Sequence, residues 1–389
     1  MCECGYSVNS TSSQHQVFTD LIESDFLTIQ DIFHDTDWQI QEYATPHGTD
    51  AGPFGMNMTG ANVISNPLKD NSTLSSPSKL GGDAGLQLWV RGGIPSNGLV
   101  PSAEMRTVRR DLNYGSFRAA MKLTPVNGTC SAVFSYYNDT QEIDVELLSY
   151  QYINYTTSSQ AIPSSPINLI SHSDQSILTE YSRPNTTCYG KPILPNSLTD
   201  EFHEYRFDWM PDRVSFYFDG QWLWDLIDDI PTSSSAMFFK HWSNGAVGWS
   251  QGPPMKDAVT TIEYFKAYFN SSDPQRNVDY KGRCKDPSAE GAVCIIPDQT
   301  VPPDPSVVPP GLSGSLAKNG SASTWFFSQH PNQTVNQTVY TGQKNAGIIR
   351  GPVVERRFWI TGVVMLLISG MWVEPYMVRP IGDLCFLPL

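Results

Sequence analysis

The sequence predicts an all-β protein, built as a sandwich of two antiparallel sheets over residues 17–272. Short apolar runs in this region alternate with turn signals, among them Gly92-Gly93, Asp219-Gly220 and the run from Pro95 to Gly98. Such punctuation is typical of strands joined by tight turns. The same region has no long stretch of helical periodicity. Together these observations favour a β-sandwich.

The clearest hairpin lies at residues 205–218. Its strands are residues 205–209 and 213–218, and Met210-Pro211-Asp212 forms the turn between them. A second tight turn at Asp219-Gly220 leads into residues 221–224. Because alternate side chains of a strand point to opposite faces, one face of the second strand should be apolar and buried, formed by Val214, Phe216 and Phe218.

Residues 141–149 form the most informative segment, because three carboxylates occupy alternate positions at Glu142, Asp144 and Glu146. In a strand they share one face, and the residues between them, Ile143, Val145 and Leu147, anchor the other face in the core. Like charges along one face are unfavourable, so the row needs a reason. Cleavage of a glycosidic bond supplies one, since it uses two carboxyl groups with different pKa values. An acidic edge strand and a calcium site are the alternatives.

Composition narrows the classes of partner. Aromatic residues make up 12% of the chain, with 10 Trp and 17 Tyr, and charged residues only 16%. This balance suits a β-rich protein that stacks sugars on aromatic faces, although most aromatic side chains will fill the core. The net charge of −14 argues against nucleic acid, because phosphate binding needs a basic surface.

Glycosylation signals predict an extracellular protein. Asn-X-Ser/Thr sequons are far denser than chance, and this density indicates a secretory route. No signal peptide is predicted in the chain, since Met1 to Gly5 has neither a basic region nor an apolar run. The sequons are at Asn9, Asn57, Asn71, Asn127, Asn138, Asn154, Asn185, Asn270, Asn319, Asn332 and Asn336.

Seven cysteines fit an oxidising compartment. Cys284 and Cys294 flank a short segment and are expected to close a small loop. Cys130 and Cys188 are candidates for a bridge within the main domain, whereas Cys2 and Cys4 have no obvious partner. The spacing of Cys2 and Cys4 does not match a zinc site.

The chain divides into five predicted parts. Residues 1–16 are an N-terminal segment, residues 17–272 the sandwich, and residues 273–297 a small cysteine-containing extension. Residues 298–345 are rich in Pro, Ser, Gly, Asn and Thr, which predicts a disordered, glycosylated linker or stalk. Residues 346–389 form a tail with an apolar stretch at 358–373, shorter than the ~20 residues of a spanning helix. Membrane attachment through this tail and an artefact of the gene model are both open.

The motifs together resemble glycoside hydrolase family 16, and more closely its secreted fungal members of the endo-1,3(4)-β-glucanase type. Residues 142–146 match the family signature E-x-D-x-E, and residues 114–122 with Gly128-Thr129 resemble the strand and turn before it. Residues 202–209 and 217–220 resemble a downstream family hairpin, and residues 241–245 a cleft strand with Trp249 shortly after. The resemblance covers about 17–272. One departure is Phe134-Ser135-Tyr136-Tyr137, where members commonly carry a tryptophan; it leaves substrate preference open.

This resemblance implies a concanavalin A-like β-jelly roll and a retaining mechanism. By position, Glu142 is the nucleophile, Glu146 the general acid/base, and Asp144 the helper that keeps their pKa values apart. The implied activity is that of an endo-β-glucanase acting on β-1,3 or mixed β-1,3/1,4 linkages, without cofactor or metal. A cell-wall transglycosylase with the same carboxylates and a non-catalytic glucan-binding module are alternatives. A monomer is expected.

A retaining pair also requires a concave sheet. Residues i and i+4 of a strand lie ~13 Å apart at Cα, whereas the two carboxyl groups must approach to ~5–5.5 Å. Sugar rings stack on exposed aromatic faces, so Trp242 and Trp249 are the first substrate-binding candidates. Core packing is the alternative for each aromatic candidate, and a turn is the alternative for the Asn244-Gly245 pair. The remaining candidates are Trp89, Tyr136, His241, Asn244, Arg91 and Glu104.

Overall fold

The structure is a computed structural model that describes residues 2–8, 16–48, 52–153, 165–174, 188–304 and 321–330. The predicted tail and most of the predicted linker lie outside these residues. Within the described ranges, no helix combines the length and apolar character needed to cross a membrane.

Short strands dominate the described residues. Two helices accompany them, α1 (Ser149–Ile153) and α2 (Pro274–Arg283). The strands are β1 (Tyr6–Val8), β2 (Val17–Phe18), β3 (Asp20–Asp25), β4 (Trp38–Ile40), β5 (Tyr43–Thr45), β6 (Gly55–Met58), β7 (Val63–Asn66), β8 (Gly85–Val90), β9 (Leu99–Thr107), β10 (Leu112–Lys122), β11 (Cys130–Asn138), β12 (Gln141–Leu148), β13 (Ser165–Pro166), β14 (Asn168–His172), β15 (Tyr189–Gly190), β16 (Ile193–Leu194), β17 (His203–Met210), β18 (Arg213–Phe218), β19 (Gln221–Leu226), β20 (Ala236–Trp242), β21 (Ala258–Ser271) and β22 (Cys294–Ile296).

Two large sheets form the predicted β-jelly-roll sandwich. The eight-stranded sheet has the order β19-β18-β17-β10-β21-β8-β7, with β3 also paired to β21. The nine-stranded sheet has the order β15-β14-β12-β11-β20-β9-β6-β5, with β4 also paired to β9. Pairing within them is antiparallel, apart from the parallel pair of β6 and β9. Their inner faces share one hydrophobic core, as expected for a sheet-on-sheet fold.

The predicted hairpin is confirmed as β17 and β18. Met210 pairs with Arg213 across the turn, and Phe207 pairs with Phe216. Val214, Phe216 and Phe218 lie in the core, which is the face that the alternation predicts. Phe207 also stacks on Phe117 of β10 with a centroid distance of 5.0 Å, so the hairpin is fixed to the centre of its sheet.

The disulfide bonds correct the sequence prediction. Cys284 and Cys294 do not pair with each other: Cys2 bonds to Cys294 and Cys4 bonds to Cys284. The reason is topological, because β1 runs parallel to β22 and brings the N-terminal cysteines against the extension. The proposed bridge between Cys130 and Cys188 is also not formed.

Part of the predicted linker packs on the eight-stranded sheet, which differs from the expectation of disorder for these residues. Phe326 and Phe327 are buried, and Phe327 lies 4.9 Å from the Tyr6 ring, centroid to centroid. The ammonium group of Lys266 donates to the Ala322 carbonyl over 2.7 Å. Residues 321–330 therefore cover the outer face of this sheet.

The disulfide pairing predicts a specific peptide map. Digestion without reductant should yield cross-linked peptides that join Cys2 to Cys294 and Cys4 to Cys284, measured by mass spectrometry. Reduction should lower the free energy of unfolding by about 2–5 kcal/mol for each bridge, measured in denaturant. A Cys284–Cys294 peptide as the main product would contradict the structure.

Candidate active site

Strand β12 lies inside the nine-stranded sheet, between β11 and β14. Its apolar residues Ile143, Val145 and Leu147 are buried in the core. The three carboxylates therefore project from the outer face of the sheet. Because β12 has a partner on both sides, the alternative of an acidic edge strand is excluded.

The register of the sheet defines what surrounds each carboxylate. Side chains at paired positions of neighbouring strands lie side by side on the same face. The three rows across β14, β12 and β11 are His172–Glu142–Tyr136, Ile170–Asp144–Phe134 and Asn168–Glu146–Ala132. The three acidic groups thus have different neighbours although they share a strand.

Glu146 has a raised pKa, and the main cause is its burial among protein atoms. The Trp249 indole N–H donates to Glu146 Oε2 over 2.7 Å, and this bond favours the ionised form. The charge of Lys240, and that of His172 when its ring is protonated, act in the same direction. Burial prevails, so Glu146 holds its proton to higher pH than an ordinary carboxyl group does. This behaviour suits a general acid.

Asp144 pairs with a histidine that the sequence analysis missed. His172 Nε2 lies 2.9 Å from Asp144 Oδ2, and both side chains are largely buried. One carboxylate oxygen of Glu142, one of Asp144 and one ring nitrogen of His172 all lie within 4.8 Å of one another. Successive residues on one face of a strand are ~7 Å apart at Cα, so the side chains converge. His172 lies in no motif; only the pairing of β14 with β12 brings it here.

Glu142, Asp144 and His172 are also spaced closely enough to hold a metal ion. Within the described part of the chain, they are the one cluster of His, Cys or carboxylate side chains with such spacing. Calcium prefers a shell of six to eight oxygen ligands. This set offers two carboxylates and an imidazole, which fits that ion poorly. We therefore interpret the cluster as interacting titratable side chains and not as a calcium site.

Three predicted substrate residues lie on the carboxylate face. Tyr136 is in the row of Glu142, and its hydroxyl donates to Asp139 over 2.8 Å. Trp242 lies two residues after Lys240 on β20, so the two side chains are on the same face of the sheet. The Lys240 ammonium group lies 5.7 Å from the Trp242 ring centroid. Glu104 of β9 forms an ion pair of 3.1 Å with Lys240. Tyr136 and Trp242 are partly exposed, so their rings are accessible to a ligand.

Trp249 reaches Glu146 from the loop after β20, and Asn244 shapes that loop. Asn244 Oδ1 accepts a hydrogen bond of 2.8 Å from the Ser250 hydroxyl and one of 3.1 Å from the Ala246 N–H. Gly245 has a φ of +76°, a conformation that glycine adopts without strain. The structure therefore places Asn244 in the turn, the alternative that the sequence left open for the Asn244-Gly245 pair.

The prediction for His241 is wrong. Its side chain points to the core side of β20 and is fully buried, and Nδ1 lies 2.8 Å from the Leu88 carbonyl oxygen. Burial lowers the pKa of His241 to about 4. A neutral ring enclosed by the core cannot bind a sugar hydroxyl.

Trp89 and Arg91 lie away from the carboxylates. Trp89 is on β8, in the eight-stranded sheet, and its neighbours Leu88 and Val90 are buried, so its ring faces outward from that sheet. The Arg91 guanidinium stacks on the Trp89 ring at 4.7 Å and forms an ion pair of 2.8 Å with Asp257. The structure does not bring this pair together with the carboxylate face.

Comparison with known proteins gives a family match over residues 69–260, to the family described as glycosyl hydrolases family 16. The structure is similar to a Bacillus licheniformis β-glucanase, with 18% identity, a TM-score of 0.45, and coverage of 64% of this chain and 97% of that one. It is also similar to a β-1,3-1,4-glucanase (lichenase) from a mouse hindgut metagenome, with 17% identity, a TM-score of 0.44, and coverage of 64% and 98%.

A third similar structure is the Crh5 transglycosylase, with 14% identity, a TM-score of 0.42, and coverage of 65% and 85%. No curated protein matches the sequence.

The contact between Trp249 and Glu146 predicts a pH effect. Trp249→Phe removes a donor to the ionised carboxylate, so the pKa of Glu146 should rise further. If Glu146 acts as the acid, the basic limb of the pH–rate profile should move upward by about one unit. Trp242→Phe is the matched control. It makes the same replacement on the same face of the sheet but leaves the Trp249 indole N–H, which donates to Glu146, in place. An unmoved basic limb in Trp249→Phe would contradict the assignment.

The pair of Asp144 and His172 predicts a second pH effect. Asp144→Asn should lower the rate and change the pH profile, because a carboxylate between Glu142 and Glu146 is lost. His172→Gln removes a ring that lowers the pKa of Glu146 when it carries a proton, so the basic limb of this variant should also move upward. Rates measured from pH 4 to 9 test both variants. Identical profiles in wild type and both variants would remove the tuning role.

Proposed function

We propose that the protein is a member of glycoside hydrolase family 16, whose model matches residues 69–260, and that it is a retaining endo-β-glucanase acting on β-1,3 or mixed β-1,3/1,4 linkages. The observation that carries the proposal is the row of three carboxylates on the outer face of β12. Glu146 accepts a hydrogen bond from an indole N–H, and Asp144 lies against a histidine. Different surroundings for similar groups allow one to act as acid and another as nucleophile.

In the first chemical step, Glu142 attacks the anomeric carbon in its ionised form. Glu146 transfers its proton to the glycosidic oxygen, and the leaving sugar departs with that oxygen. The bond from Glu142 to the sugar forms as the glycosidic bond breaks. The raised pKa of Glu146 supports this role, since the acid must still hold its proton at the working pH.

In the second step Glu146 is ionised and acts as a base. It accepts a proton from water as the water oxygen attacks the anomeric carbon, and Glu142 leaves as a carboxylate. The Trp249 indole N–H stabilises the ionised Glu146 at this stage. Asp144, which lies 2.9 Å from His172, is between the two glutamates and keeps their pKa values apart.

The surrounding face supplies the features of a polysaccharide site. Trp242 and Trp249 are partly exposed aromatic side chains, and the Lys240 ammonium group, which is paired with Glu104, lies 5.7 Å from the Trp242 ring centroid. Aromatic rings stack on the apolar faces of sugar rings, while charged groups bind hydroxyls. A site on the open face of a sheet accepts an internal segment of a long chain, which is why we propose endo rather than exo cleavage.

We further propose that the protein acts outside the cell as a glycosylated monomer. The disulfides Cys2–Cys294 and Cys4–Cys284 support an oxidising compartment. The density of sequons supports the same route. We also keep the predicted domain limits: the sandwich spans residues 17–272 and the linker spans residues 298–345.

Product analysis on laminarin and barley β-glucan, with and without an added oligosaccharide acceptor, tests the function. Short reducing oligosaccharides are expected, and the better polymer defines the linkage preference. Products longer than the donor would instead indicate a transglycosylase. Glucan binding without any product would favour a binding module. Turnover should persist in the presence of a chelator.

Replacement of the two glutamates gives the sharpest test of their roles. Glu142→Gln and Glu146→Gln should each lower turnover by on the order of 10³-fold or more, while glucan binding survives. The matched control is Glu290→Gln, which changes an exposed glutamate outside the site. Full activity in either site variant would overturn the assignment.

A further inference from the structure

The outer face of the eight-stranded sheet is covered over its middle strands but open at one end. Residues 321–330 lie over β21, where the Lys266 ammonium group donates to the Ala322 carbonyl. Asp298 pairs with Arg206 of β17 over 2.9 Å. Beyond β17 the sheet continues through β18 and ends at β19. The open end therefore consists of the outer faces of β18 and β19.

Trp222 on β19 is the most prominent side chain of this open end. It is 58% exposed, and the other tryptophans of the described chain are all less exposed. Trp222 pairs with Tyr217 of β18. Because Tyr217 alternates with Phe216 and Phe218, which lie in the core, Tyr217 and Trp222 both project from the outer face. Tyr217 is partly exposed, so the two side chains form one aromatic patch.

Trp224, the next tryptophan on β19, has a packing role that explains its position. It pairs with the core residue Phe216 and so faces the inner side of the sheet. Its ring covers Gly190 of β15, where an added Cβ would lie 2.6 Å from the ring carbon Cδ1. Trp224 therefore closes the edge of the sandwich. The outward position of Trp222 needs a different explanation.

Both rings of the patch are held in place by polar neighbours. The Trp222 indole N–H donates to Asp225 Oδ1 over 3.0 Å. The Arg206 guanidinium carbon lies 4.3 Å from the Tyr217 ring centroid. Side chains that are already fixed lose little conformational entropy when they bind a ligand. Asp225 lies opposite Ser215 of β18 on the same face, so its carboxylate borders the patch.

An exposed indole beside a carboxylate suits a sugar. The apolar face of a sugar ring can pack on the aromatic ring, and the Asp225 carboxylate has two oxygens that can accept hydrogen bonds from hydroxyl groups. Tyr217 and Trp222 occupy paired positions on neighbouring strands. Their rings can therefore contact neighbouring units of one polysaccharide chain.

The charge around the patch selects a neutral ligand. Asp212, Asp225, Asp228 and Asp229 lie on or beside these two strands, the nearby Arg213 is paired with Asp212 over 3.1 Å, and the chain has a net charge of −14. An anionic polymer would be repelled by this surface. A second copy pairing along the free edge of β19 would bring like charges together. A neutral glucan meets neither cost.

We propose that Tyr217, Trp222 and Asp225 form a second, non-catalytic binding site for a neutral β-glucan chain. This inference rests on the proposed function for the identity of the polymer. The patch lies on the outer face of the eight-stranded sheet, whereas the carboxylates of β12 project from the outer face of the nine-stranded sheet. The two sites are thus on opposite sides of the sandwich. A long or insoluble glucan can occupy both sites, and a short oligosaccharide cannot.

The indole N–H resonance of Trp222 tests the site directly. It is assigned by its absence from the nitrogen-15 spectrum of Trp222→Phe, and the full chain with Glu142→Gln is used so that the ligand is not cleaved. Titration with a β-1,3 or a mixed-linkage glucan hexasaccharide should shift this resonance. A resonance that stays unchanged at millimolar concentrations of both hexasaccharides would overturn the inference.

Electrophoresis in native gels that contain barley β-glucan measures how much the patch contributes. In the Glu142→Gln background, Trp222→Ala should weaken affinity about two- to tenfold, the range for one lost aromatic contact. Trp222→Phe should retain most of the affinity, because a ring remains. These replacements leave the charge unchanged, so altered mobility reports binding. Affinity in Trp222→Ala equal to that of its parent would contradict the proposal.

Ile227→Ala is the matched control for a protein partner. Ile227 is 59% exposed just beyond β19, and it has no planar ring for a sugar. Its replacement should leave glucan affinity unchanged. If Ile227→Ala weakens affinity as much as Trp222→Ala, the edge has a packing role instead. A dimer of the wild-type chain that both replacements dissociate would show that the edge joins two copies, and it would likewise overturn the inference.

Kinetics with two substrates separate this inference from the proposed function. Without the Glu142 replacement, Trp222→Ala should raise KM for barley β-glucan by the same factor and leave kcat unchanged. It should change neither constant for a short chromogenic oligosaccharide, because that substrate reaches only the carboxylate face. Equal losses on both substrates would overturn the second site while leaving the glucanase assignment intact. Glucan binding that depends on Trp222 in a protein without turnover would refute only the proposed function.

Discussion

The alternation of β12 is the constraint on which the site depends. Ile143, Val145 and Leu147 are buried in the core of the sandwich, and this burial fixes the register of the strand. A slip of one residue would bury three carboxylates and expose three apolar side chains. The hydrophobic core thus holds the acidic row in place against its own charge repulsion, and the strand pairs on both sides keep it there.

The fixed strand then lets its neighbours make the carboxylates unequal. Asp144 contacts His172 from β14, Glu146 contacts Trp249 from a loop, and the positive charge of Lys240 on β20 acts on Glu146. These groups are far apart in sequence. Chemistry that requires one ionised and one protonated carboxyl therefore depends on the whole sheet and not on the E-x-D-x-E motif alone.

Local patterns predicted local features. The β17–β18 hairpin, the buried face of β12 and the outward carboxylates follow from a period of two, which the sequence displays directly. The burial of His241 follows from the same period of two. Trp242 and His241 are adjacent on one strand, so a Trp242 on the open face requires a His241 on the core side.

Nonlocal contacts could not be read from the sequence. His172 meets Asp144 only because β14 pairs with β12, and no motif marks that pairing. Cys2 and Cys4 reach Cys294 and Cys284 across nearly the entire described chain, because β1 joins β22 in a third sheet. Spacing along the sequence favoured a short loop closed by Cys284 and Cys294, whereas the pairing of β1 with β22 determines which cysteines form disulfides.

The coverage of the other sheet explains why the site lies where it does. Both large sheets carry polar side chains on their outer faces, including Glu204 and Lys266 on the eight-stranded sheet. Tyr264 donates to Glu204 over 2.7 Å, and Lys266 donates to the Ala322 carbonyl beneath residues 321–330. Both charged groups are buried by the protein itself. The outer face of the nine-stranded sheet keeps Glu142, Glu146 and Trp242 partly exposed, and so it is the face where charged groups can act on a ligand.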